Sequence, residues 1–171
     1  MKKILLLVLT LFFYNNVDAQ IFAKKKANKD TQNWRYEVIC VDNSRNSNDV
    51  IKVFSFSKKP KVAISQAGKN AVHAIIFKGV KAGKCINQEP LVKNPNIEQE
   101  KKEFFKSFFA DGGKYAKYVT ATNNGRINPK DVTKISRKEY KVGVVVSVDR
   151  LGLKRDLENA GILQNIGEIF K

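Results

Sequence analysis

Residues Glu139 to Val148 constrain the fold more than any other part of the chain. Val142, Val144, Val145, Val146 and Val148 fall within ten residues. β-branched side chains lose little by standing on a pleated surface and more by crowding a helical turn. This run predicts a long strand at the centre of a sheet, about which the other elements must be arranged. Upstream, Trp34, Tyr36, Val38 and Cys40 alternate with Arg35, Glu37, Ile39 and Val41, the period-two pattern of a strand with two different faces. Asp42 to Asp49 is turn material, Asn, Ser and Asp around one Arg, and Val50 to Phe56 is a second strand. These two strands predict an antiparallel hairpin.

Pro60 suits the first turn of a helix, where its missing N–H has no helical partner. Ala63, Ile64, Ala67, Ala71, Ala74 and Ile75 then recur at helical spacing. The alanines form a thin face on which the helix can lie close to a sheet. Ile75 to Val80 either finishes that helix or begins a third strand, and a short apolar run leaves both readings open. Residues from Gly79 to Pro90 form a loop that carries Cys85. Asn94-Pro95-Asn96 supplies capping chemistry for another helix, with Glu98 and Glu100 early and Lys101, Lys102 and Lys106 later, as the helix dipole favours. Ile97, Phe104, Phe105, Phe108 and Phe109 make its apolar stripe, and Asp111-Gly112-Gly113 stops it. Tyr115 to Thr122 reads as a strand, residues 126 to 137 as irregular, and Leu153 to Ala160 as a last helix ended by Gly161. The sum is one α+β domain over residues 34–171, a two-layer sandwich with a mostly antiparallel sheet and helices packed on one face.

The first nineteen residues are set apart. Lys2 and Lys3 precede an apolar run from Leu5 to Phe13, and Val17-Asp18-Ala19 places compact residues before Gln20. That layout predicts a cleaved secretory signal over residues 1–19. A membrane anchor is the competing reading, but a span needs roughly 20 apolar residues and this core is half that. No cysteine follows the cut, so lipid attachment there is not expected. Residues 20–33, with Lys24-Lys25-Lys26, read as a flexible polar lead. The expected product is exported to the periplasm or beyond, and is not lipid-anchored.

Two lysines and one aspartate leave with the signal, so 30 basic and 15 acidic residues remain. Such an excess favours polyanions through an attraction that salt weakens. In an envelope the candidates are lipopolysaccharide phosphates, anionic lipid, teichoic-type polymers and shed nucleic acid; export makes nucleic acid the less natural partner. The lysines are scattered rather than massed, which equally describes an ordinary solvated surface. Export also gives meaning to the two cysteines. Cys40 and Cys85 are an even pair in an oxidising compartment and predict a disulfide, against the alternative of two buried thiols.

Catalytic signals are thin. His73 is the single histidine and has no second His or Cys at ligand spacing, so the sequence predicts a packed helical residue, not a base or a ligand. No phosphate loop is present, and no cofactor or metal site is expected. Glu98, Glu100, Glu103 and Asp111 are the only carboxylates grouped in a way that could serve glycan hydrolysis; Glu98 with Lys102 reads instead as a surface pair. The Phe104, Phe105, Phe108 and Phe109 stripe reads as core. Lys117 beside Tyr115 and Tyr118, and Arg137-Lys138 before Tyr140, are the only basic and aromatic neighbours of the kind single-stranded nucleic acid requires.

Several segments carry a resemblance. Trp34 to Val38, Lys58 to Ile64, Asn70 to Gly79, Phe104 to Tyr115 and Tyr140 to Val146 resemble an uncharacterised secreted family of Bacteroidetes-type bacteria, and that resemblance implies export but no activity. The hairpin, the helix bearing Ala63, Ala67, Ala71 and Ala74, and the closing strand and helix are similar to small envelope domains, the N-terminal-type domains of flagellar assembly protein T and related lipoproteins. This second likeness implies an assembly or scaffold role, although the lipid-attachment cysteine of those proteins is missing here. The expectation is therefore a non-catalytic envelope protein that binds a protein partner or an anionic envelope polymer. A hydrolase of envelope glycan or peptide, working through a carboxylate pair, is the alternative.

Overall fold

The structure is a computed structural model and describes residues 34–43, 48–81, 83, 85, 87–94, 96–122 and 126–164. The signal at 1–19 and the lead at 20–33 lie outside the described residues. Strands β1 (Tyr36–Asn43) and β2 (Asn48–Ser57) form the expected antiparallel hairpin, with Cys40 opposite Ile51 and a bulge between Cys40 and Asp42. Strand β5 (Glu139–Asp149) pairs antiparallel with the whole of β2, from Asn48 opposite Asp149 to Ser57 opposite Tyr140. Along its other edge β5 pairs with two short strands in succession. Strand β3 (Val119–Ala121) meets Val148 to Val146, and β4 (Val132–Ser136) meets the far end at Val142 to Glu139. The valine-rich strand is thus the centre of an antiparallel sheet, and the fold is α+β.

Alternation fixes which face is inside. Ile51, Val53 and Ser55 of β2 and Val142, Val144, Val146 and Val148 of β5 are buried, together with Tyr36 and Cys40 of β1. Helix α1 (Pro60–His73) lies on this face, packed on β2 and β5. Ala63, Ala67 and Ala71 are no more than 1% exposed, so the alanine face is the contact surface. Small side chains bring the helix close enough for Asn70 Nδ2 to donate to Ser55 Oγ at 2.8 Å, one polar bond inside the layer. Fully buried Ile51, Ile75, Ile76 and Leu153 belong to the same core, each worth roughly 1.5–3 kcal/mol on removal from water.

The ambiguous run after α1 resolves as a helix end. Ala74–Lys78 form a π turn that closes with Gly79 N–H donating to the Ala74 carbonyl at 2.8 Å. The carbonyls of Ile75 and Ile76 accept from Leu91 and Val92, so the returning chain caps them. Gly79 has φ of 70°, and a side chain there would overlap the Gln88 carbonyl. Val80 then pairs with Gln88 as an isolated bridge, not as a third strand.

Three local expectations are corrected. The Phe-bearing helix is two pieces, α2 (Ile97–Glu100) and α3 (Lys102–Phe108), parted at Lys101 with φ of −109° and ψ of 33°. The sequence carries no breaker there. Residues 114 to 118 form a 3-10 turn, not a strand, which puts Tyr115 and Tyr118 on the same side at a spacing of three. Residues 132 to 136 are β4 instead of an irregular loop; every residue of it is exposed, so no alternation marks it. Helix α4 (Arg150–Asn159) closes the chain, its first turn capped by Asp149 Oδ1 accepting from Gly152 N–H at 2.8 Å.

A disulfide joins Cys40 to Cys85 with Cα atoms 5.7 Å apart. It ties β1 to the loop after the π turn, where Gly83 lies against the Cys40 backbone with φ of +115°. No helix among the described residues is long and apolar enough to cross a membrane.

Candidate functional site

The C-terminal end of α1, the start of β1 and the α2–α3 pair converge on a polar network. His73 is 3% exposed. Its Nδ1 lies 2.6 Å from the Tyr36 hydroxyl, and its Nε2 lies 3.4 Å from Glu98 Oε1, long for a hydrogen bond but within ion-pair reach. One assignment satisfies both contacts: the phenol donates to Nδ1, and the ring proton sits on Nε2 facing the carboxylate. The single tryptophan completes the group. The Trp34 indole stacks on His73 and donates its N–H to Glu98 Oε1 at 2.9 Å. Lys78 donates to the Trp34 carbonyl at 3.2 Å, with its ammonium 4.0 Å over the Tyr36 ring.

Electrostatics fix the protonation of the network. Burial holds the His73 imidazole below its ordinary range; Glu98 pulls the other way and Lys78 adds to the depression. Glu98 is held below the usual carboxylate range, first by the bond to His73, then by Trp34 and Lys78, against its own partial burial. Burial, helped by the Glu98 charge, pushes the Tyr36 phenol far up. The state at neutral pH is therefore phenol, neutral imidazole and carboxylate. Trp34 itself has φ of 43°, a left-handed backbone that costs an aromatic residue about 1–2 kcal/mol and persists only where the surroundings enforce it.

Beside this network opens a cavity of about 490 Å³, within the usual size range of small-molecule sites. Trp34, Phe105 and Phe109 form its aromatic wall. Lys69, Lys102 and Lys106 bring three cations, and Glu98 and Asp111 two carboxylates. Lys69 is the unusual member. It is 3% exposed, its ammonium lies 5.5 Å from the centre of the Tyr115 ring, and burial pulls its pKa down while Asp111 pushes it back. A buried amine in an aromatic cleft is a costly arrangement unless anions keep it charged.

The sequence-derived candidates sort clearly. Of the four grouped carboxylates, Glu98 and Asp111 reach the cavity. Glu100 instead accepts from Asn94 at 3.4 Å, and Glu103 pairs with Lys106 at 3.8 Å in solvent. Glu98 accepts from Trp34 and lies 3.4 Å from His73 Nε2, and does not form the surface pair with Lys102 that the spacing predicts. His73 is packed, as expected, but it also anchors the wall of the site. Phe105, Phe108 and Phe109 are buried, and Phe105 and Phe109 face the cavity as well. Lys117 is committed to Asp156, which also accepts from Tyr118. No signal in the sequence pointed to Lys69, which lies off the alanine face of α1.

Three ion pairs neutralise charge locally on another part of the surface. On the outer face of the sheet, Arg35 pairs with Glu139, Lys141 with Glu37 and Lys52 with Asp131, while Arg35 and Lys141 also cover Phe56 and Phe54. Among the described residues no group of three His, Cys, Asp or Glu side chains is placed to hold a metal ion. No family model matches the chain, and no curated protein or solved structure matches it either.

Proposed function

We propose that the chain is an exported, non-catalytic binding module that holds an anionic group of an envelope polymer or protein partner in the cavity beside Trp34. The observation that carries this reading is the cavity lining itself, where the rings of Trp34, Phe105 and Phe109 stand beside the amines of Lys69, Lys102 and Lys106. Export is supported by the signal-like first nineteen residues and by the disulfide, which persists in oxidising compartments.

The hydrolase alternative needs a carboxyl group kept protonated to act as general acid. Glu98 is the better-placed carboxylate, and its neighbours drive it the other way, toward the anion. That weighs against a carboxylate-pair mechanism.

The test is retention of the mature chain on a lipopolysaccharide-coated surface across a salt gradient. Retention should fall steeply with salt and should weaken in the double variant Lys102→Ala, Lys106→Ala, while Lys130→Ala, Lys134→Ala on the β4 side changes it little. Equal loss in both double variants would mean diffuse charge, not the cavity, does the binding.

A further inference from the structure

On the side away from the β1–β2 hairpin the sheet ends in β4, a strand paired along one edge only. We infer that β4 is a docking edge that takes an extended, acidic polypeptide segment as an added strand. The surface shares no residue with the cavity beside Trp34, so this role goes beyond the binding role proposed there and stands or falls apart from it.

β4 bonds to β5 on one side. Among the described residues no strand pairs with its other edge, and no backbone hydrogen bond from outside the sheet reaches residues 132 to 136. Five residues so placed present a row of unpaired N–H and carbonyl groups about 17 Å long, a template for main-chain pairing with another chain. Val132 and Ile135, 37% and 42% exposed, are two of the four exposed large apolar side chains among the described residues. Lysine alone on an edge guards it, whereas exposed valine and isoleucine give a partner strand something to cover. Charge decides the occupant. Arg126, Lys130, Lys134, Arg137 and Lys138 fall within thirteen residues, are all exposed, and among the described residues meet no carboxylate. The acids nearest in sequence, Asp131 and Glu139, are engaged by Lys52 and Arg35. A second copy of this edge would bring like charges together, while an acidic strand meets attraction along the same row. Exposed ion pairs contribute little each, so the main-chain bonds hold the partner and the charges select it.

The experiment titrates the isotope-labelled mature protein with a short synthetic peptide of alternating Glu and Val. A second peptide of the same sequence is N-methylated at alternate amides, which keeps the charge and removes strand pairing, and oligothymidylate serves as a polyanion of another class. The unmodified peptide should shift the amides of residues 132 to 136 and slow their hydrogen exchange. The N-methylated peptide should bind about tenfold more weakly, and the double variant Lys134→Glu, Arg137→Glu should weaken the unmodified peptide by a similar factor. The comparison of the two peptides uses the native chain, so it stands even if the double variant fails to fold. Equal binding of the two peptides, unchanged exchange in β4, or shifts only at residues 98 to 111 would overturn the strand-addition role. A charge-reversed variant that binds the peptide as well as the native chain would overturn the acidic partner. Oligothymidylate binding at β4 more tightly than the peptide would overturn it too, and would make the edge a surface for nucleic acid.

Discussion

The Trp34 indole lies on the His73 imidazole with ring centres 3.7 Å apart and planes inclined by 22°. The contact joins a residue two positions before the first strand to the last residue of α1, and both meet Glu98 of α2. Three elements distant in sequence are thus fixed to each other at one point, and that point is the back wall of the cavity. Most consequences of the structure can be read from what happens when one member is removed.

Trp34→Ala should destabilise the fold by about 2–3 kcal/mol, somewhat less than a fully buried tryptophan costs. Trp34→Phe keeps a ring on His73 and gives up only the N–H to Glu98, so about 1 kcal/mol is expected. Urea unfolding followed by circular dichroism measures both. Equal losses would mean that the stack contributes nothing beyond the hydrogen bond.

Tyr36→Phe removes the donor to His73 Nδ1 and leaves a buried acceptor without its bond. The cost should be about 1–2 kcal/mol at neutral pH. A double-mutant cycle with His73→Phe checks it: the Tyr36 change should cost much less once the imidazole is gone. Additivity would show that the 2.6 Å contact is energetically idle.

Stability should fall on the acid side. His73 is depressed in the fold, so the unfolded chain binds its proton first, and stability present above the ordinary histidine range is lost as pH drops through and below it. Glu98 is depressed too, and its contribution is lost at lower pH, as the carboxylate protonates. Tyr36 and Lys78, the other ionisable groups of the network, do not change charge in this window. The urea midpoint should decline between neutrality and about pH 5, and His73→Phe should flatten that decline. A midpoint that rises toward acid in the native chain would contradict the assignment.

The disulfide closes a separation of 45 residues between β1 and the loop after the π turn. Removing it, as Cys40→Ser with Cys85→Ser, should cost about 4 kcal/mol on the chain-entropy model. Thermal unfolding with and without reductant measures the same quantity in the native chain. Mass spectrometry without reductant should find the chain two hydrogens short.

What could be read from sequence follows from burial. β5, β2 and the alanine face of α1 each bury one side, so their periods show plainly in Val142 to Val148, Val50 to Phe56 and Ala63 to Ala74. β4 buries nothing and left no period to read. The first half of Tyr115 to Thr122 misled because Tyr115 and Tyr118 fit a spacing of three as well as an alternation, while Val119 to Ala121 is strand β3. The site was half legible. Glu98, Asp111 and the phenylalanines were singled out, but for a carboxylate pair and a core. Lys69 and the role of Trp34 were not, because their meaning depends on α1, β1 and α2 meeting, which no local pattern records.

The most direct measurement is the indole N–H resonance of Trp34, one signal in a chain with one tryptophan. In a titration of the mature, isotope-labelled protein with an anionic envelope fragment, that signal should move first, together with the amides of residues 98 to 111. Salt should reverse the shifts. Shifts confined to β4 and the outer face of the sheet, with the Trp34 signal still, would contradict a binding site in this cavity.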